Sequence, residues 1–225
     1  CRLFRGNRRT QKNMNIVISV PGRFHLFNLA QQLLKRDYLS QLITSYPKFE
    51  VVKYGIPKNK VRSIFIKEIM QRGWNILPTP LKELYNPQYL IHETFDAFAS
   101  HSLKKADIAV GGSSVFLRTL RNAKKMGMAT IVEHGSSHIV YQNKILKEEY
   151  EMFGVKIMPF QLPHPRIIEK EIQEYEESDY IAIPSRFVRQ TFLDQGVPAR
   201  KLIHVPYGVD LVQFHEMPKK DKAFR

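Results

Sequence analysis

Short apolar runs recur along the chain at residues 15–20 (NIVISV), 39–45, 107–110, 129–133, 180–183 and 202–205. Runs of this length, rich in Ile and Val, predict strands, and the near-continuous 15–20 run predicts one buried on both faces of a parallel sheet. Between them apolar residues fall at helical spacing. Leu26, Ala30, Leu33 and Leu34 share one face of a predicted helix over 25–36, and Phe187, Val188 and Phe192 mark another. Further helices are predicted in one or two pieces over 81–106, from the turn after residue 112 to Lys125, from His138 onward, and over 167–177 with its glutamates on a solvated face. Strand, turn and helix in repetition predict an α/β fold, a Rossmann-like doubly wound parallel sheet with right-handed crossovers.

The punctuation agrees. Pro21-Gly22-Arg23 breaks the first strand, Met126-Gly127 ends a helix, and Ser185 is placed to cap the helix that Gly196 and Pro198 close. Residues 46–80 fit this rhythm less well. They form a long basic connection with one helix predicted over 64–70, interrupted by Gly73-Trp74, Pro78 and Pro80. Pro159 to Pro165 reads as a loop.

Composition adds one unusual feature. The 225 residues, enough for one large or two small domains, are 43% apolar and 25% charged, which is ordinary, but the formal net charge is +14. Cys1 is the only cysteine, which excludes an intramolecular disulfide and a cysteine metal site. No apolar run approaches the roughly 18 residues of a membrane-spanning helix, and no signal peptide is recognisable. A cytoplasmic protein is expected, peripheral at the inner membrane face if it meets a bilayer. Residues 1–13 carry five basic residues and no acid, and are read as a tail outside the fold or as a basic membrane arm; without them the charge is still +9. Lys53, Lys58, Lys60, Arg62 and Lys67, interleaved with Ile, Phe and Trp, read as a solvated insertion or as a surface for anionic lipid headgroups or a phosphorylated acceptor, with Lys53 to Trp74 as the expected source of binding.

Candidate chemistry gathers at the carboxyl ends of the predicted strands, where open sheets bind ligands. Gly22 and Arg23 follow the first. Gly112 and Ser113 follow the third, where Ser113 or Ser114 can cap the next helix; that turn reads equally as an anion site and as a tight connection. His134 ends the fourth, on the turn made by Gly135 and Ser136, while His138 reads as a helix cap or a surface residue. Glu148 and Glu149 are adjacent on a helix, point in different directions and are rejected as an acid–base pair. A G-x-G-x-x-G fingerprint is absent, which weakens a dinucleotide oxidoreductase reading.

Residues 178–214 go further. Ser178-Asp179 through Ser185-Arg186-Phe187, then Phe192, Gly196, Pro198, Lys201, Gly208-Val209-Asp210 and Phe214, resemble the closing segment of the acceptor-binding domain of retaining glycosyltransferases of the family 4 type. The resemblance implies the N-terminal half of a GT-B enzyme: residues 14–210 as a Rossmann-like acceptor-binding domain, and 211–225 as a linker and lead-in to a C-terminal donor domain, with its E-x7-E element, that is missing. It implies transfer from a nucleotide-sugar donor to a glycan or lipid-linked acceptor, as in polysaccharide biosynthesis, with retention, no metal and no cofactor, and no activity in this half alone.

It also assigns residues. His134 would contact the reacting sugar and point into the interdomain cleft. Gly22, Arg23, Gly112, Ser113, Gly135, Ser136, Ser185 and Arg186 would border the donor and acceptor cleft, with Tyr141 and Gln142 facing the acceptor. Many family members have two adjacent glycines at the first turn, where this chain has Gly22 alone. The alternative is a basic membrane- or nucleic-acid-binding Rossmann-like module without catalysis; no nucleic-acid motif is recognisable, and nucleic acid is not an expected partner.

Overall fold

A computed structural model describes residues 14–208. Residues 1–13 and 209–225, which include the predicted tail, Val209, Asp210, Phe214 and the predicted linker, lie outside the described residues. The strands are β1 Ile16–Ser19, β2 Leu39–Thr44, β3 Val61–Ser63, β4 Ile108–Gly112, β5 Ala129–Glu133, β6 Tyr180–Ile183 and β7 Leu202–His204. The helices are α1 Phe24–Leu34, α2 Lys48–Val52, α3 Ile66–Ile76, α4 Thr79–Lys82, α5 Gln88–Ser102, α6 Leu117–Lys125, α7 Ile139–Met152, α8 Pro165–Glu177 and α9 Arg186–Asp194.

Among the described residues seven strands form one sheet in the order β3-β2-β1-β4-β5-β6-β7, and every pairing is parallel. The order reverses between β1 and β4. Helices cover both faces, which is why the strand runs read as continuously apolar. Along β1, Ile16 and Ile18 pack with Leu26, Phe27 and Leu42 on one face, while Val17 packs with Ile43, Phe95 and Ala99 on the other.

All six predicted strands are present. The seventh, β3, lies in the basic connection, where one buried residue, Val61, followed by exposed Arg62 gives too short a pattern to read. It is an edge strand, so only one of its sides needs a partner. The predicted break at Gly73-Trp74 is also corrected: both residues lie inside α3. A glycine there costs helix stability only about 1 kcal/mol relative to alanine, so it does not end the helix. β4 runs through both glycines, so its turn begins at Ser113. Gly111 is the constrained one, since a Cβ there would lie 2.0 Å from the Phe116 ring, whereas one on Gly112 would meet nothing closer than 3.8 Å. Ser185 caps α9 as predicted, accepting from Val188 N at 3.1 Å. His138 caps α7, its Nδ1 accepting from Val140 N at 3.3 Å.

Candidate functional site at the strand-order reversal

A cavity of about 640 Å³ opens at the carboxyl ends of β1, β4 and β5. The sheet order builds it: β1 and β4 are neighbours whose following chains leave in different directions, which opens a crevice between them. The first wall is Val20, Pro21 and Gly22, the second Gly112 to Val115, and the third Glu133 to Ser136. Gln142 from α7 and Lys67 and Glu68 from α3 close the sides.

His25, in the first turn of α1, places Nε2 2.8 Å from Glu133 Oε1, at the end of β5. Glu133 is nearly buried and the His25 ring is about one-third exposed. Tyr207, after β7, packs its ring 4.6 Å from that of His25, and its hydroxyl is pushed above the ordinary tyrosine range by burial and by the Glu133 charge. If His25 donates Nε2–H to the carboxylate, Nδ1 keeps the ring's lone pair. A histidine oriented by a carboxylate in a crevice has the arrangement of a general base.

Two further polar clusters border the cavity. His92 Nδ1 lies 2.9 Å from Ser114 Oγ. Burial, then Lys170 and Lys67, lower the His92 pKa to about 4, so its ring is neutral at pH 7. On the other side Ser45 Oγ donates to Glu68 Oε1 at 2.6 Å, and Lys67 Nζ lies 3.2 Å from the same oxygen.

The residues singled out from sequence divide. Gly22, Gly112, Ser113, Gly135, Ser136 and Gln142 border the cavity. His134 borders it too, at the carboxyl end of β5, but its ring is not directed into the open cleft. The residue is 3% exposed, with Tyr175 and Phe192 packed edge-on at 5.3 and 5.1 Å and Nε2 2.9 Å from the Ser137 carbonyl. An imidazole edge satisfied by a backbone acceptor and enclosed by aromatic rings sits more favourably there than in solvent.

Arg23, Ser185, Arg186 and Tyr141 are not among the cavity residues. Arg23 lies over the Tyr54 ring at 4.7 Å, a cation–π contact that draws it off the crevice. Tyr141 packs against Phe187, 5.8 Å between ring centres.

Of the two readings of the turn before α6, the geometry favours the tight connection, and the suggested serine cap is not made. No side chain of the turn caps this helix. Glu174 of α8 accepts from the N–H groups of Ser114, Phe116 and Leu117 at 2.7, 2.9 and 2.9 Å. Asp96 of α5 accepts from Arg118 N and Thr119 N at 2.8 and 3.0 Å. The N–H groups that open the helix are thus taken by two of the protein's own acidic side chains; burial, then the nearby Glu171, pushes the Glu174 pKa up to about 8. Lys170 holds Asp96 at 2.7 Å and Glu93 at 2.8 Å.

A second groove, of about 620 Å³, runs over the outer surface of α5, α6 and α8. Three of its cations are already engaged, Arg118 by Glu93, Arg121 by Glu177 and Gln173, and Lys170 by Asp96 and Glu93. It also lies away from the strand ends, so the cavity at the order reversal is the better candidate site.

The signal for His25 and Glu133 was present but incomplete. Each sits beside a recognised turn, one at the start of a helix and one at the end of a strand. Nothing in a spacing of 108 residues announces that they meet.

No protein-family model matches the chain, and no curated protein is similar enough in sequence to count as a match. Solved structures do match in fold. UGT2 of Phytolacca americana, complexed with UDP-2fluoro-glucose and pterostilbene, superposes with a TM-score of 0.50 at 11% identity, over 87% of this chain and 53% of that one. A putative UDP-N-acetylglucosamine 2-epimerase from Listeria monocytogenes superposes with a TM-score of 0.50 at 10% identity, over 89% of this chain and 50% of that one. The chain spans about half the length of these structures. At such identities the likeness is one of fold, and it gives the chain the Rossmann-like α/β architecture of the N-terminal half of GT-B enzymes.

Proposed function

We propose that this chain is the acceptor-side half of a GT-B glycosyltransferase that passes a sugar from a nucleotide-sugar donor to a hydroxyl acceptor. The observation that carries the reading is the His25–Glu133 pair in a crevice at the strand-order reversal. The family 4 resemblance of residues 178–214 supports it. So does the fold likeness to a protein that holds UDP-2fluoro-glucose. Because the chain spans about half of such proteins, the donor is assigned to a facing domain, and residues 14–208 bind and orient the acceptor.

In this reading the acceptor hydroxyl lies against His25 Nδ1, which takes its proton as the oxygen attacks the anomeric carbon. The bond from that carbon to the diphosphate breaks, and the diphosphate leaves with the electron pair. Glu133 stabilises the imidazolium that forms. Holding the acceptor in this geometry supplies the orientation that bimolecular transfer lacks.

The family 4 resemblance favours retention at the anomeric carbon. The His25–Glu133 pair favours a second reading, direct displacement with inversion, because a base beside the acceptor is what that route requires. The anomeric configuration of the product, read by NMR from an enzyme that contains residues 14–208 and a donor domain, separates the two. Absence of transfer from every nucleotide sugar would refute both.

A further inference from the structure

Helix α3 has eleven residues, and none of them is buried. Its outer side carries large apolar residues: Ile69 is 60% exposed and Ile76 83%, with Phe65 just before the helix at 61% and exposed Arg72 at helical spacing between the two isoleucines. Past α4, Leu84 is 80% exposed as well. Asn86 donates to the carbonyls of Pro159 and Leu162 at 2.8 and 3.3 Å, which brings the loop that carries exposed Phe160 alongside. Isolated exposed apolar residues are ordinary, but several of them along one helix and the segment after it mark an interaction surface.

Charge says what covers it. Lys48, Lys58, Arg62 and Arg72 are exposed on the same stretch and have no ion-pair partner among the described residues. Its three acids are Glu50, Glu68 and Glu83, of which Glu50 is paired with Lys53 and Glu68 with Lys67. Apolar side chains with an unpaired cation among them, Arg72, in a stretch that carries three more, fit the boundary between acyl chains and anionic headgroups. A second copy of the same face would bring the cations together. Among the described residues no helix is long and apolar enough to cross a membrane, so contact through these helices would be peripheral.

The same helix reaches the site. Lys67 and Glu68, in the first turn of α3, border the cavity, while Phe65 and Ile69 face outward. We infer that the α3–α4 face docks on an anionic lipid leaflet and, resting on the transferase reading, that the acceptor offered to the cavity is anchored in that leaflet.

The test is co-sedimentation of the chain with phosphatidylcholine vesicles with and without phosphatidylglycerol, in the absence of any sugar donor, so that its outcome is independent of transfer. The expected result is binding about tenfold stronger to the anionic vesicles, and weakened by salt. Ile69→Glu with Ile76→Glu, and separately Arg72→Glu, should each weaken it by at least about tenfold. Because these side chains are exposed, the variants should melt as the parent does. Phe187→Glu, an equally exposed position on α9, should leave binding unchanged. Binding abolished by removing residues 1–13 alone would overturn the proposal. So would variants that bind like the parent, or a dimer seen by light scattering that Ile69→Glu dissolves.

Discussion

His25 Nε2 and Glu133 Oε1 meet at 2.8 Å across the end of β4, joining the helix after β1 to the last residue of β5. The contact exists because β4 pairs with both β1 and β5, which brings the ends of those two strands to either side of it. The pair faces the cavity from two separate strand ends.

In an enzyme that contains this half, His25→Ala and Glu133→Gln should each lower kcat by about 10²-fold or more, the usual contribution of a positioned general base. Glu133→Gln keeps an oxygen near the ring but not its charge, so it should lower kcat with little change in melting temperature. Unchanged kcat in both variants would remove the pair from the mechanism.

His134→Ala is expected to act first on the fold. The ring fills space between Tyr175 and Phe192 and bonds the Ser137 carbonyl, so its loss should destabilise by about 2–3 kcal/mol. Denaturant unfolding measures this. A fall in turnover of about 10²-fold with unchanged stability would instead support the direct contact with sugar that the family resemblance implies.

The two glycines of β4 should differ in tolerance. Gly111→Ala forces a methyl into the Phe116 ring and should cost several kcal/mol, on the order of 3, whereas Gly112→Ala has room and should cost under about 1. Equal thermal shifts for the two would contradict the packing at the end of this strand.

His92 makes stability depend on pH. Its folded pKa, about 4, lies below the unfolded 6.5, so the unfolded chain binds more protons between these values. Stability is therefore present above pH 6.5 and lost as pH falls toward 4. His92→Asn lacks this term, so the stability difference between parent and variant should shrink by at most about 3 kcal/mol from pH 7 to pH 4. His138, lowered to about 4 chiefly by burial, contributes in the same direction and remains in the variant. Melting curves for both proteins across this range provide the check.

The chain's local pattern was enough for the architecture. Strands buried on both faces read as apolar runs, helices as periodic faces, and glycine and proline mark the turns, because each depends on neighbours within a few residues. Ser185 at the start of α9 is such a case, since its hydroxyl caps an N–H three residues away. β3 escaped because a three-residue edge strand has almost no pattern of its own.

The site was only half legible. The turns at Gly22, Gly112 and Gly135 could be placed on the crevice because strand ends are local features. Tertiary structure alone decided which side chains occupy it. Glu174, on a helix whose glutamates read as a solvated face, is fully buried and caps α6 from 57 residues away at its nearest contact. Arg23, next to a cavity glycine, turns instead onto Tyr54. His25 and Glu133 meet only because the sheet places β1 and β5 on either side of β4. Spacing along the chain fixes directions within one element, whereas contacts between elements follow from the order in which strands pair.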